Sequence, residues 1–237
     1  MKFTRILLKL SGEALMDGDD QFGHGKLTEL AQAVHKVTQL GVQVGIVCGA
    51  GNIFRARSAN LEIVDRVTAD NVGMMATVMN AAIVRDYLRA EGLKARIMSP
   101  REVRPLTQAF ARDTALGLLN TGYVLLFAGG TGNPYFTTDS AAALRSLEIS
   151  ADALLKGTQV DGVYDKDPNK FSDASRFDAL SYDQVIDQRL GVMDLTAVTM
   201  CSEQGMPLFV FDLSDAESLV RAVQGEQPGT WITKESN

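Results

Sequence analysis

Seven short apolar runs constrain this chain more than anything else in it. They are RILLKL (5–10), VQVGIVCG (42–49), KARIMS (94–99), YVLLFAGG (123–130), ADALLKG (151–157), PLFVFD (207–212) and TWIT (230–233). Most are continuously apolar and do not alternate, which is the pattern of strands covered on both faces and hence of a parallel sheet. Helical periodicity fills the gaps, over about 28–40, 69–91, 106–119, 138–149, 181–190, 193–204 and 214–224. Strand alternating with helix predicts an open, mostly parallel α/β sheet with helices on both faces. The 237 residues carry no internal repeat, linker or low-complexity tract, so a single domain spanning 1–237 is expected.

Composition narrows the partners. A net charge of −6 makes the chain a poor non-specific ligand for nucleic acid or an anionic membrane, and 7% aromatics argue against a base-stacking platform. Bound phosphates would have to meet local cations and backbone N–H groups. The two cysteines, Cys48 and Cys201, lie far apart, which fits a reducing compartment better than secretion. At the N-terminus the apolar run Ile6–Leu10 is short and contains Lys9, so no export signal is expected. No stretch is read as long enough to span a bilayer, and a cytoplasmic location follows.

Polar, glycine-rich segments follow the strand ends: LKLSGE, VCGAGNIFR, FAGGTGNPYFTTDS and LKGTQVDGVYDKDP. Ligands of open α/β sheets bind outside the carboxyl ends of the strands, so these segments are expected to converge on one crevice. No GxxxxGK[ST] sequence is present, which excludes a P-loop. Gly49-Ala50-Gly51-Asn52 alone reads as a tight strand-to-helix turn. Followed by Phe54-Arg55, it suits a phosphate dianion. In 129–140, Gly129, Gly130 and Gly132 allow close backbone approach, and Thr138 is a candidate cap for the helix that follows.

Lys9 and Lys156 sit inside apolar runs at strand ends. One such lysine reads as snorkelling. Two, each before a small polar residue or glycine, look like point charges aimed at a phosphoryl group, with Asp139 as the carboxylate that orients them. His24 in a loop and His35 on a helix are expected at the surface. No zinc spacing and no Ser/His/Asp arrangement is evident, and no protein metal ligands are assigned. Helix 69–91 carries two apolar stripes, Val72, Met75, Ala76, Met79, Ile83 and Met74, Val78, Ala81, Ala82, Leu88. A helix covering a sheet needs one, so the second is covered by more of the chain or by a partner.

The segments LLKLSGEAL, GVQVGIVCGAGNIFR, ADNVGMMATVMNA, AGGTGNPYFTTDSAA, LLKGTQVDGVYDKDP and VMDLTA resemble the bacterial uridylate (UMP) kinases of the amino acid kinase superfamily over nearly the whole chain. The resemblance implies transfer of the ATP γ-phosphoryl group to UMP in pyrimidine nucleotide synthesis, with Mg²⁺ carried on the ATP phosphates. It further implies a homohexamer, GTP activation and UTP inhibition. It divides the domain into an acceptor part, roughly 1–150, and an ATP part, roughly 151–237.

Roles carry over by position. Lys9, Leu10, Ser11, Gly12, Gly51, Arg55, Thr158, Tyr164 and Asp167 are expected at ATP. Ala50, Asp70, Thr131, Gly132, Asn133, Pro134, Tyr135, Phe136, Thr137 and Thr138 are expected at UMP, with Asp70 on the ribose and Thr131 and Asn133 near uracil. Lys9, Asp139, Lys156 and Arg55 are the catalytic set. Gly18, Asp19, Asp20, Gln21, Phe22 and Gly23 match the GTP effector region, although LMDGDDQFG differs in length and is more acidic than the family pattern. Ala50 also stands where the family has glycine. Two rival readings are a superfamily kinase for a carboxylate or carbamate acceptor and an inactive nucleotide sensor on the same fold.

Overall fold

The computed structural model describes residues 3–55 and 62–235. Its strands are β1 (Arg5–Leu10), β2 (Gln43–Cys48), β3 (Lys94–Ser99), β4 (Gln108–Ala109), β5 (Tyr123–Phe127), β6 (Ala153–Thr158), β7 (Val163–Tyr164), β8 (Arg176–Phe177), β9 (Ala179–Ser181), β10 (Leu208–Asp212) and β11 (Gly229–Thr233). Its helices are α1 (His24–Gln39), α2 (Arg66–Ala90), α3 (Arg112–Asn120), α4 (Thr138–Glu148), α5 (Tyr182–Asp187), α6 (Leu195–Gln204) and α7 (Glu217–Gln224).

Nine strands form one sheet in the order β4-β3-β5-β2-β1-β6-β10-β11-β9. Every pair in it is parallel except β10–β11. The strands β7 and β8 form a separate antiparallel hairpin. Successive strand residues point to opposite faces, so each apolar run feeds two cores. Ile6, Leu8, Leu10, Val44 and Ile46 pack with α1, α2 and α7. Leu7, Val47, Leu125 and Leu154 pack with α3, α4, α5 and α6. Full burial of most residues in β1, β2, β5, β6 and β10 accounts for their lack of alternation.

All seven expected strands are present, and the predicted fold class holds. The helix expected over 106–119 is corrected at its front: residues 108–109 add to the sheet edge as β4, and α3 begins at Arg112. Thr107 Oγ1 lies 2.8 Å from Ser99 Oγ and accepts the Val103 N–H at 2.8 Å, and the Phe110 N–H donates to the Ser99 carbonyl at 2.8 Å. These bonds fasten the segment to β3 against any helical preference. His24, expected in a loop, is the first residue of α1; it is exposed and 3.0 Å from the Tyr87 hydroxyl. His35 is half-buried.

The reading that no stretch is long enough for a membrane is also corrected. The 25-residue α2 passes by length and composition alone. Its face made of Val78, Ala81, Val84 and Leu88 is in the core, as expected of a helix that covers a sheet.

The two stripes of α2 separate. Val78, Ala81 and Leu88 are buried, whereas Met75 and Met79 are 51% and 53% exposed, with Val72 and Ile83 beside them also exposed. The stripe of Met74, Val78, Ala81, Ala82 and Leu88 is core, with Met74 and Ala82 half-buried. The stripe of Val72, Met75, Ala76, Met79 and Ile83, apart from buried Ala76, has no cover within the described residues.

Candidate active site

Two lysines meet because their strands are in register. In parallel strands, Cα partners place their side chains on one face. Lys9 of β1 is the partner of Lys156 of β6, at the centre of the sheet. Left alone, two ammonium groups at this spacing would repel. Asp139, in the first turn of α4, bridges them: Lys9 Nζ is 2.8 Å from Oδ1 and Lys156 Nζ is 3.0 Å from Oδ2. The Lys9 contact is an ion pair out of hydrogen-bond alignment, which leaves Oδ1 without a hydrogen bond of good geometry. Lys156 also donates to the Val192 carbonyl.

These side chains are only 10–16% exposed, so their charges are poorly screened. Burial works to raise the Asp139 pKa, but Lys9 and then Lys156 outweigh it and hold the carboxyl below its ordinary value. Burial lowers the Lys156 ammonium, Asp139 opposes that, and Lys9 reinforces it; the net direction is down. The trio carries one net positive charge.

Asp139 is aimed by the start of α4. Thr137 is the N-cap, accepting the N–H groups of Asp139 at 3.0 Å and Ser140 at 3.3 Å. This corrects the expectation for Thr138, which is the first helical residue. Asp194 had no assigned role in the sequence. It accepts from the hydroxyls of Thr137 and Ser140 and also caps α6 through the Ala197 N–H, so it ties the starts of two helices together.

Beside Asp139 opens a cleft of about 560 Å³. Its lining includes Ala50, Gly51, Arg55, Asp70, Thr131, Phe136, Thr137 and Thr138, so three of the four glycine-rich segments converge there, with Glu13 from the first, and LKGTQVDGVYDKDP contributes no lining residue. The backbone of Ala50 lies outside the left-handed region, which lets alanine stand in this loop. Gly129, Gly130 and Gly132 all have positive φ, 75°, 57° and 82°, conformations that side chains resist.

Asp70 accepts from Arg66 Nε at 2.9 Å and from the Tyr135 N–H at 2.8 Å, which pins the 131–138 loop to α2. Tyr135 itself sits at φ 71° with Arg66 over its ring. Arg55 donates to the Gly51 carbonyl at 3.2 Å and to Glu13, a cleft-lining carboxylate that the sequence reading did not single out.

Residues 4–212 match the amino acid kinase family. The chain belongs to that family. It is 47% identical over 236 residues to a uridylate kinase of Psychrobacter sp. (strain PRwf-1), with 98% of this chain and 97% of the relative covered. It is 50% identical over 234 residues to a uridylate kinase of Legionella pneumophila (strain Corby), with 98% and 95% covered. Among solved structures it resembles the UMP kinase from Bacillus anthracis, with a TM-score of 0.96 at 34% identity over 100% of this chain and 99% of that one. It also resembles the uridylate kinase from Archaeoglobus fulgidus, with a TM-score of 0.74 at 28% identity over 98% and 100%.

Within this amino acid kinase fold, only Gly51 and Arg55 of the expected ATP residues line the cleft; Lys9, Leu10, Ser11, Gly12, Thr158, Tyr164 and Asp167 lie outside its lining. Thr158, at the end of β6, donates to the Val160 carbonyl at 2.6 Å, and Tyr164 donates to Asp161 at 2.6 Å. The Asn169 N–H holds the Asp167 carboxyl below its usual range. Of the 131–138 loop, Asn133, Pro134 and Tyr135 are outside the lining, and Gly132 faces a second, mainly apolar hollow beside α2. Leu10, Ser11 and Gly12 continue from Lys9 and pack under the Gly49–Gly51 loop, with the Gly49 N–H donating to the Leu10 carbonyl at 2.8 Å.

Segment 17–23 forms a turn closed by the Asp17–Asp20 bridge, exposed over 17–21 with Phe22 packed on the core and Gly23 buried, and Gly18 sits at φ 55°. Burial pushes the thiols of Cys48 and Cys201 up to about 12, so neither is a nucleophile near neutral pH.

Proposed function

We infer that this chain is a uridylate kinase, which transfers the γ-phosphoryl group of ATP to UMP. Identity of 47–50% to uridylate kinases over nearly the full length supports the activity. The observation that carries the mechanism is the Lys9–Asp139–Lys156 bridge, next to a cleft of about 560 Å³ lined by Thr137 and Thr138 at the start of the helix that carries Asp139.

The UMP phosphate is already a nucleophile at neutral pH, since the second pKa of a phosphomonoester is about 6. One of its oxygens bonds to the γ-phosphorus, and the bond from that phosphorus to the β–γ bridging oxygen breaks. The electron pair leaves with ADP, and no proton has to move. What the protein must supply is alignment of two polyanions and neutralisation of the transferring group.

We assign that neutralisation to Lys9 and Lys156, with Asp139 keeping both ammonium groups on one side of the site. Arg55, released from Glu13, would grip phosphate. Ala50, Asp70 and the 131–138 loop would hold UMP, with Thr131 and Asn133 near the base. Leu10, Ser11, Gly12, Gly51, Thr158, Tyr164 and Asp167 would hold ATP, giving an acceptor part of roughly 1–150 and a donor part of roughly 151–237.

Among the described residues no cluster of three or more His, Cys, Asp or Glu gathers to hold a metal, and the Asp139 oxygens already face two cations. An ion carried on the ATP phosphates would add charge neutralisation there. Homo-oligomer formation up to a hexamer, response to GTP and UTP, and a cytoplasmic location are proposed on the same family resemblance.

A coupled assay with ATP as donor and UMP, CMP and N-acetylglutamate as acceptors tests the reading. UMP is expected to have the highest kcat/KM, because a hydrogen-bonding base pocket leaves polar groups unpaired with the wrong base. Equal kcat/KM for UMP and CMP, or a preference for the carboxylate, would overturn it.

A further inference from the structure

Behind the floor of the cleft lies a buried pair of amides. Asn80, on the inner face of α2, is fully buried, and Asn52 is 8% exposed. Each donates to the other: Asn52 Nδ2 to Asn80 Oδ1 at 3.1 Å, and Asn80 Nδ2 to Asn52 Oδ1 at 2.8 Å. Their remaining contacts reach outwards. Asn80 Nδ2 also donates to the Gly49 carbonyl at 2.6 Å, and Asn52 Nδ2 donates to the Gln21 carbonyl at 3.1 Å. Two polar side chains this deep are costly unless every bond is made.

The fit around the pair is close. A Cβ at Gly12 would stand 2.5 Å from Asn52 Oδ1 and 2.5 Å from the Gly51 nitrogen. The pair therefore bonds two chain segments, the Gly49–Gly51 loop and the 17–23 turn, and packs closely on a third, the first turn after β1. Ala50 and Gly51 are the loop residues that face the cleft.

We propose that the Asn52–Asn80 pair consists of positioning residues for phosphoryl transfer: it sets the height of the Gly49–Gly51 loop under the bound phosphates and makes that height depend on the 17–23 turn. The inference rests on the kinase reading. Without the pair, nothing ties the Gly49 carbonyl to α2 or the Gln21 carbonyl to the loop. Asn52 and Asn80 would act through backbone they hold, with no contact to substrate required.

Two full-chain variants test this beside wild type, by steady-state kinetics with ATP and UMP and by native hydrogen exchange. Asn80→Leu keeps the branched shape, though with a larger side chain, and removes all three hydrogen bonds of the amide, two with Asn52 and one to the Gly49 carbonyl. KM for UMP is expected to rise about tenfold, the scale of one unsatisfied buried group, with kcat less affected. Exchange should quicken in both 49–54 and 17–23 and stay unchanged in β6 and β10.

Gly18→Val strains the turn at φ 55° where an added Cβ meets nothing within 4 Å, and the side-chain tie from that turn to the 49–54 loop runs through the Gln21 carbonyl and Asn52. It is expected to speed exchange in 49–54 and raise KM for UMP about threefold. Should Asn80→Leu fail to fold, Gly18→Val decides alone. A folded variant with wild-type KM and wild-type exchange in 49–54 overturns the proposal, as does a uniform rise in exchange with unchanged KM. If wild type does not phosphorylate UMP, the kinase reading fails and the exchange pattern alone judges the pair.

Discussion

Asp139→Asn is the sharpest perturbation this structure offers. The substitution keeps the shape and removes the one negative charge between two ammonium groups at 2.8 and 3.0 Å. Removing one member of a buried ion pair costs about 3–5 kcal/mol, because the remaining charge stays desolvated. Against a total stability of about 5–15 kcal/mol, that is a large share. At about 2–4 °C per kcal/mol for a domain of this size, the melting midpoint should fall by roughly 6–20 °C at pH 7.

The sign of the pH dependence follows from Lys156. Its folded pKa is already below 10.5, and Asp139 is what holds it up. In Asp139→Asn it drops further. Between the folded and unfolded pKa the unfolded chain binds more protons, so stability rises with pH there. That window reaches lower pH in the variant, so the stability gap between variant and wild type should narrow from pH 7 to pH 9.

Wild type is expected to lose its Asp139 contribution in acid. That contribution is complete above the ordinary carboxylate pKa and disappears as pH falls through the depressed folded value. Urea melts at pH 7 and pH 9 measure the gap, and wild-type melts carried from pH 7 down into acid measure the loss. A variant within 1 kcal/mol of wild type at pH 7, about a third of the smallest expected loss, or a gap that widens with pH, would refute the reasoning.

Three further outcomes are expected. Lys9→Ala should lower kcat by roughly 10²–10³-fold, the scale of one lost electrostatic donor, and weaken UMP binding far less; steady-state kinetics with UMP calorimetry separates the two. Asp70→Ala removes the acceptor of the Tyr135 N–H, so KM for UMP should rise roughly tenfold or more, and an unchanged KM would exclude Asp70 from acceptor binding. Met79→Asp, on the exposed stripe of α2, should stay folded and sediment as a smaller species than wild type, whereas Val78→Asp, on the buried stripe, should unfold; a monomeric wild type at micromolar concentration would refute the partner reading.

Legibility in the sequence followed burial. The central strands were readable because both of their faces are covered and their residues are uniformly apolar. The edge strands β4 and β9 were not, since two or three residues paired at a rim leave no periodic trace. Lys9 and Lys156 stood out as charges inside apolar runs, and Asp139 as the carboxylate opening a helix. Asp194 left no comparable mark: a helix-capping aspartate looks the same whether or not it also receives two hydroxyls from another helix. Glu13 and the Asn52–Asn80 pair were invisible for a related reason. Their partners are remote in sequence, and amides and glutamates are ordinary surface residues until the fold encloses them.

The placement of Lys9 and Lys156 on paired central strands divides labour within the molecule. The middle of a nine-stranded sheet is the last part of a protein to open, so the two cations share the slowest-exchanging scaffold available. The acceptor contacts proposed above hang instead from two glycine-bearing loops beyond the ends of β2 and β5, 49–55 and 129–138. Substitutions in those loops can reshape which phosphate-bearing molecule enters without moving the charges that act on it. One charged frame can therefore serve acceptors of very different shape. The limit on new specificity is set by how far the loops deform, and the chemistry beneath them is left in place.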